Sequence, residues 1–256
     1  VAAAIRELLR QKRTWSSRQV GEELARQGIP LGARQVRRYL KRMGARYRRT
    51  GQTLRHKQDP ARVERARRVL RNLKARAVAG LLKLYYLDEC GFSPTLPTGS
   101  SWMLPGERLL VEYEAPQGRR VNALAAYRPY GRVPRLDVFT AERTWTSYDL
   151  LGFLGALPWA KVPRVVALDN ASLHTSRVIR AARTDLARRG IYLYFLPAYS
   201  PELNEIEPVF RQVKYQEMPE RSHTTRLALR EAVEAAFTGY GRRLPPKRPE
   251  RLRPAA

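Results

Sequence analysis

Between Arg164 and His174 the chain reads RVVALDNASLH, and no other stretch constrains the fold as strongly. Val165, Val166, Ala167 and Leu168 form a short unbroken apolar run, which suits a strand covered on both faces in a parallel or mixed sheet. That strand ends on Asp169, after which Asn170, Ser172, Thr175 and Ser176 supply turn and helix-cap chemistry before a helical pattern begins. In open α/β sheets, ligands bind at the carboxyl ends of strands, so an acid there is a candidate functional group. Standing alone, such an Asp serves more often as a turn former or a helix cap. Its weight depends on what the rest of the chain delivers to the same place.

The chain has 256 residues, 43% of them hydrophobic, enough to build a substantial core. Its 49 Lys and Arg against 23 Asp and Glu leave a net charge of +26, a self-repelling balance that calls for a polyanionic partner, with nucleic acid the obvious class. The charge is uneven: residues 1–80 carry 23 basic and 5 acidic side chains. No run approaches the roughly eighteen apolar residues of a membrane span, and the N-terminus lacks the apolar core of a secretory signal. The reading is an intracellular chain with no membrane partner. Cys90 stands alone, which excludes an internal disulfide or a zinc-finger account of the charge and is expected to be a small buried residue.

The N-terminal part reads as an all-α helix-turn-helix domain over 1–50. Ile5, Leu8 and Leu9 mark the face of a first helix, and Ser16 with Gln19 matches a capping box for a second, lined by Val20 and Leu24 and ended by Gly28. Leu31 and Val36 stand as a hydrophobic staple around Gly32, opening a third helix that runs to about Met43 and stops at Gly44. Val36, Tyr39, Leu40 and Met43 turn inward at helical spacing, leaving Arg34, Gln35, Arg37, Arg38, Lys41 and Arg42 toward solvent. That is the pattern of a recognition helix suited to phosphates and base edges; the competing reading is a solvated basic helix. Arg46, Arg48 and Arg49 extend the basic surface into a connector.

A basic linker and bridging helix follow over 51–80, the helix starting at Pro60 and ending near Ala79. A catalytic-type α/β domain is expected over 81–240. Its first strand is read from Leu81 to Asp88, again ending on acids, Asp88 and Glu89. Gly91 to Gly106 is a Pro- and Gly-rich loop or hairpin around Trp102, which is expected to pack against the sheet or to touch DNA. Val121–Arg128 and Val133–Thr140 make a hairpin. Tyr148, Leu151, Leu154 and Leu157 mark a short helix, the helix from Ser176 to Arg189 closes on Gly190, and Ile191–Leu196 is a further buried strand. A loop over 197–206 then brings Glu207 into the first turns of a helix whose apolar stripe is Ile206, Val209, Phe210 and Val213. Thr224–Phe237 is a last amphipathic helix, and 241–256 is a basic Pro-rich tail, read as disordered from Leu244.

Three acids thus stand in order, Asp88, Asp169 and Glu207, separated by 81 and 38 residues. Converging carboxylates repel unless hard cations neutralise them, and oxygen ligands of this kind suit Mg²⁺ or Mn²⁺. Two such ions roughly 4 Å apart activate a water or a 3′-hydroxyl and stabilise the leaving oxygen of a phosphodiester. Glu89 is read either as an assisting ligand or as a solvated strand-end acid, Asn170 and His174 as DNA or water contacts or as loop caps, and Glu202 and Glu205 as an acidic solvent face.

The order LDE at 87–89, LDNASLH at 168–174 and YSPELNEIEPVF at 199–210 resembles the DDE transposases of the mariner superfamily, specifically the bacterial insertion-sequence-630 group. The helix-turn-helix, Trp102 with Gly106, and Lys214 extend the resemblance over nearly the whole chain. It implies an RNase H-like mixed sheet flanked by helices, with Asp88, Asp169 and Glu207 as the catalytic, metal-binding triad for two Mg²⁺ or Mn²⁺ ions. It also implies cut-and-paste transposition: hydrolysis at element ends, then attack by the freed 3′-hydroxyl on target DNA, usually at TA. The implied partners are double-stranded DNA at element ends and target and a second copy in a DNA-bound homodimer. The implied location is the nucleoid of a bacterial cytoplasm. Glu205 stands where the family commonly has Pro and Phe210 where it commonly has Trp. The family usually carries two N-terminal helix-turn-helix units, whereas only one fits before the linker here; with the chain opening on Val1, a missing N-terminal unit is one reading, which bears on recognition of element ends more than on catalysis. The alternatives are a catalytically silent or domesticated DNA-binding protein and an RNase H-like nuclease without strand transfer.

Overall fold

The computed structural model describes residues 1–48, 50, 51, 53–245 and 247, so Arg49 and, of the tail, 246 and 248–256 lie outside the described residues. The start of the tail is instead helical to Arg243, and Leu244, from which disorder is expected, is buried. Two compact units are present, Val1–Thr53 and Leu54–Ala256.

The first unit holds α1 (Ala2–Arg10), α2 (Ser17–Arg26) and α3 (Ala33–Arg42). The capping box closes α2 as its sequence predicts: Gln19 N–H donates to Ser16 Oγ at 3.2 Å and Ser16 N–H to Gln19 Oε1 at 2.8 Å. Ile5, Leu8, Val20, Leu24 and Val36 form the buried core, with Trp15, Leu31, Tyr39, Leu40 and Met43 packed around it. Leu9, at the edge of that apolar face, is exposed. Close helix packing requires Gly21, where an added β-carbon would lie 2.7 Å from the Leu31 carbonyl oxygen. Gly44, at φ +74°, provides the left-handed residue that stops α3.

The second unit is built on a five-stranded mixed sheet of order β3-β2-β1-β4-β5. The strands are β1 (Lys83–Phe92), β2 (Val121–Arg128), β3 (Arg135–Ala141), β4 (Arg164–Leu168) and β5 (Ile191–Phe195). β1, β2 and β3 pair antiparallel, whereas β4 runs parallel to both β1 and β5. Helices α4 (Pro60–Val78), α5 (Ser147–Ala156), α6 (Arg177–Arg188), α7 (Glu207–Gln212) and α8 (Arg226–Arg243) cover both faces, and α7 continues into a π-helical turn over Val213–Glu217. Side chains alternate along β1 and sort the core into two layers. Leu84 and Tyr86 face α4, α7 and α8. Tyr85 and Leu87 face α5 and α6. This is the RNase H-like arrangement, and none of the described helices is long and apolar enough to cross a membrane.

Four local expectations change. β1 does not end at Asp88 but runs on through Glu89 and Cys90 to Phe92, because β2 continues to pair with it after β4 has stopped. The helix expected as a bridge is part of the second unit: Val63, Ala66, Leu70 and Ala77 lie in the same core as β1. Trp102 is not packed on the sheet; it is fully exposed in a segment between β1 and β2 that has no helix or strand beyond one bridge from Thr95 to Ser222. In α5 the buried side chains are Leu150, Phe153 and Leu154, and Tyr148 faces solvent.

Candidate active site at the strand ends

The topology creates the site. β1 and β4 pair in parallel as far as Tyr86 and Ala167, and continuing that register by two residues sets Asp88 beside Asp169. Neighbouring strands lie roughly 4.8 Å apart. β4 stops at Leu168 while β1 goes on against β2 alone, so the sheet opens where the two acids stand. Asp88 shares the parity of Tyr86 and therefore faces α7, whose first residue is Glu207. Asp88, Asp169 and Glu207 line one cleft of about 530 Å³, together with Asn170, Tyr199, Ser200 and Asn204.

Each acid is held differently. Asp88 Oδ1 accepts the Glu89 N–H at 2.8 Å and Oδ2 accepts from Asn204 Nδ2 at 3.1 Å. Burial pushes its carboxyl up to about 8 despite the Glu89 hydrogen bond, and the charges of Asp169, Glu89 and Glu207 add to the rise. Burial also raises Glu207, with Asp169 adding and Lys214 opposing. Asp169 is the contrast: the His174 hydrogen bond, at 2.7 Å from Nδ1 to Oδ1, and the Ala171 N–H hold it below the usual carboxylate range against burial. His174 is fully buried. Burial pulls its imidazolium down, but Asp169 and Glu89 overcome that and hold it up at about 10. Its Nε2 lies 3.2 Å from Glu89 Oε1, close enough to feel the charge but not aligned for a hydrogen bond. Neighbouring acids with pKa values driven apart are a recurrent feature of acid–base and metal chemistry.

Three carboxylates are the donor type a hard divalent cation selects. Among the described residues, no three Asp, Glu, His or Cys side chains come close enough together to hold one ion. One further atom fits a hydrated cation: Asn204 Oδ1 is a buried acceptor without a protein donor, which a metal-bound water would satisfy.

The remaining candidates separate. Lys214 Nζ donates to the Gly91 carbonyl at 2.9 Å and lies over the Phe92 ring, tying down the end of β1. Asn170 donates to the Leu196 carbonyl, which staples the end of β5 to the cleft loop. His174, being buried, caps and orients Asp169 and offers no surface to DNA. Glu202 accepts from Gln58 at 2.8 Å. Glu205 is not on a solvent face: its side chain is 16% exposed, ion-paired by Lys74 and Lys247, and accepts from the Tyr130 hydroxyl at 2.9 Å. Those partners hold its carboxyl low against burial, which is why an acid is tolerated there. Phe210 is buried and packs edge-on to Phe237. In the first unit Arg34, Gln35, Arg37, Arg38, Lys41 and Arg42 are exposed along α3, and Arg46 and Arg48 are exposed beyond it. Gln35 also caps its helix, accepting the Gly32 N–H at 3.0 Å. Arg49 lies outside the described residues. Asn204 carries a role the sequence pattern leaves unmarked; its position three residues before Glu207 in the cleft loop is the available signal.

Comparison with known proteins adds the following. The profile of the DDE superfamily endonuclease family matches residues 83–230, and that of the winged helix-turn helix family matches residues 11–68. No strand is present among the described residues of the first unit, so a wing is not seen there. No curated protein sequence matches the chain. A solved structure of the Mos1 transposase paired-end complex with the left transposon end is similar at a TM-score of 0.62 and 18% identity, covering 96% of this chain and 75% of that one. The Mos1 strand transfer complex gives 0.60 and 18%, covering 93% and 70%. The mariner Mos1 paired-end complex with Mg gives 0.62 and 17%, covering 95% and 73%. At these identities the likeness is one of fold. With Asp88, Asp169 and Glu207 all inside the matched span, this chain belongs to the DDE superfamily endonuclease family.

Proposed function

We propose that the chain is a transposase of the mariner superfamily, in the bacterial insertion-sequence-630 group, which binds element-end DNA and cuts and rejoins phosphodiesters. The observation that carries this reading is that three acids, one in β1, one just past the end of β4 and one at the start of α7, line a single cleft at the open end of the sheet. Asp88, Asp169 and Glu207 are the catalytic residues and would hold Mg²⁺ or Mn²⁺. Two such ions, when bound, supply the Lewis acidity that activates water or a 3′-hydroxyl and stabilises the leaving oxygen. His174 holds the Asp169 carboxyl low and turned in one direction, while burial raises the carboxyls of Asp88 and Glu207, a cost that a bound cation would offset.

Residues 1–50 supply the DNA grip. The exposed cations of α3, with Arg46, Arg48 and Arg49, contact phosphates and base edges of duplex DNA, first at element ends and then with target held nearby. Pairing two ends calls for a homodimer on DNA, in the nucleoid of a bacterial cytoplasm. Mos1 structures with Mn and with Mg are consistent with divalent-metal use by this fold.

The test is Mg²⁺- or Mn²⁺-dependent cleavage of a labelled duplex carrying the element's terminal repeats, with Asp169→Ala alongside. The expected outcome is a loss of at least about 10³-fold in cleavage with duplex binding retained. Cleavage without joining to a target duplex would reduce the function to a nuclease. Tight binding with no cleavage by either protein would reduce it to a DNA-binding protein.

A further inference from the structure

Asn204 sits between the 3₁₀ turn Pro201–Leu203 and α7, and is only 3% exposed. Its backbone carbonyl accepts the N–H of Glu207 at 3.2 Å, at the first residue of the helix. Its side-chain Nδ2 donates to Asp88 Oδ2 at 3.1 Å and to the Leu87 carbonyl at 3.4 Å. One residue therefore touches both the central strand and the helix start, two elements whose acids are 119 residues apart in sequence.

A buried loop Asn ordinarily caps its own turn, bonding backbone groups a few residues away. This side chain does not: both of its hydrogen bonds cross to β1, 116 and 117 residues back. Nor is the residue explained by packing. Its Oδ1 is buried with no protein donor, and an orphaned acceptor is costly where a branched apolar side chain would carry no such penalty. The donor half of the amide is used by Asp88, and the acceptor half is buried without a protein donor in a residue that lines the acid cleft.

We propose that Asn204 is a positioning residue for the acid site, fixing the Asp88 carboxylate and the first turn of α7 in one register so that Asp88 and Glu207 serve the same divalent cation. This rests on the metal-dependent reading above. Asn204 acts through the two acids and touches no substrate.

The experiment is a titration of the full chain with Mn²⁺ alone, read by loss of the free-ion electron paramagnetic resonance signal, on wild type, Asn204→Ala, Asn204→Leu, Asp88→Ala and the Asp88→Ala/Asn204→Ala double variant. Duplex binding and thermal unfolding are measured on the same samples. Both Asn204 variants are expected to weaken Mn²⁺ binding by about 10-fold or more, the scale seen when residues that orient metal ligands are removed. Duplex affinity stays within about twofold. The Leu variant, which removes the orphaned acceptor, is expected to melt no lower than wild type, so that a folding defect cannot account for its loss of metal. The double variant is expected to bind as weakly as Asp88→Ala alone, since residues acting through one contact are not additive. Mn²⁺ binding within twofold of wild type in both single variants, or full additivity with Asp88→Ala, overturns the inference while leaving the metal site standing. Absence of Mn²⁺ binding by the wild type overturns the metal-dependent reading and this inference with it.

Discussion

The α3 surface and the strand-end cleft both concentrate charge, and they handle it in opposite ways. On α3, Arg34, Arg37, Arg38, Lys41 and Arg42 project into solvent, and among the described residues none of them pairs with an acid. In the cleft, Asp88 and Asp169 each accept a backbone N–H and a side-chain hydrogen bond from the protein, and burial shifts Asp88 and Glu207 upward. Solvated charges need only a helix with an apolar back, here Val36 with Tyr39, Leu40 and Met43. Desolvated charges take their properties from whatever the fold packs beside them. The first arrangement suits a ligand that arrives as a whole polyanion; the second has the donor type that small hard cations select.

Three changes sharpen or break this contrast, taken from the largest effect to the smallest. Replacing Arg34, Arg38 and Lys41 together by Gln should weaken duplex binding by about 100-fold at moderate salt and flatten the log–log salt slope by up to about 3. Thermal unfolding should barely move, because no partner is lost; a clear fall in stability would mean that α3 is not simply a solvated surface. In the cleft, Asp88→Asn should stabilise the metal-free protein by about 1–3 kcal/mol at pH 8 while destroying cleavage. The sign follows from the raised carboxyl: its folded pKa of about 8 lies above the unfolded value, so its contribution is intact below about pH 4 and is lost as pH rises toward 8. Denaturant unfolding at pH 4, 6 and 8 should therefore show the gap between variant and wild type widening with pH. A gap that is constant or reversed would place Asp88 in a solvated setting. The smallest effect belongs to Ser16→Ala, which removes the hydroxyl end of the α2 capping box and should cost about 1 kcal/mol. Circular dichroism melts of the variant should record it without any change in metal response.

Legibility in the sequence followed the same division. The capping box, the inward face of α3, the apolar run of β4 and the stripe of Ile206, Val209, Phe210 and Val213 are local patterns, and the structure has them where periodicity puts them. The course of β1 past Asp88 was hidden, because the residues that hold Glu89, Cys90 and Gly91 in a strand are Leu124, Ala123 and Asn122 on β2. Glu205 reads as a surface acid until Lys74, Tyr130 and Lys247 are brought around it. Trp102 reads as packing against the sheet or touching DNA, yet among the described residues no element covers it.

By itself the sequence determined the helices, the buried strand Arg164–Leu168 and the order of Asp88, Asp169 and Glu207 along the chain, since these depend on periodicity, capping and residue type over a few neighbouring positions. Only the tertiary structure decided that Asp88 stands beside Asp169, that His174 is buried against one acid and Asn204 against the other, and that Glu205 is neutralised. The physical reason is that hydrogen bonding and desolvation depend on distance in space, and these partners come from helices, strands and loops as far as 131 residues apart.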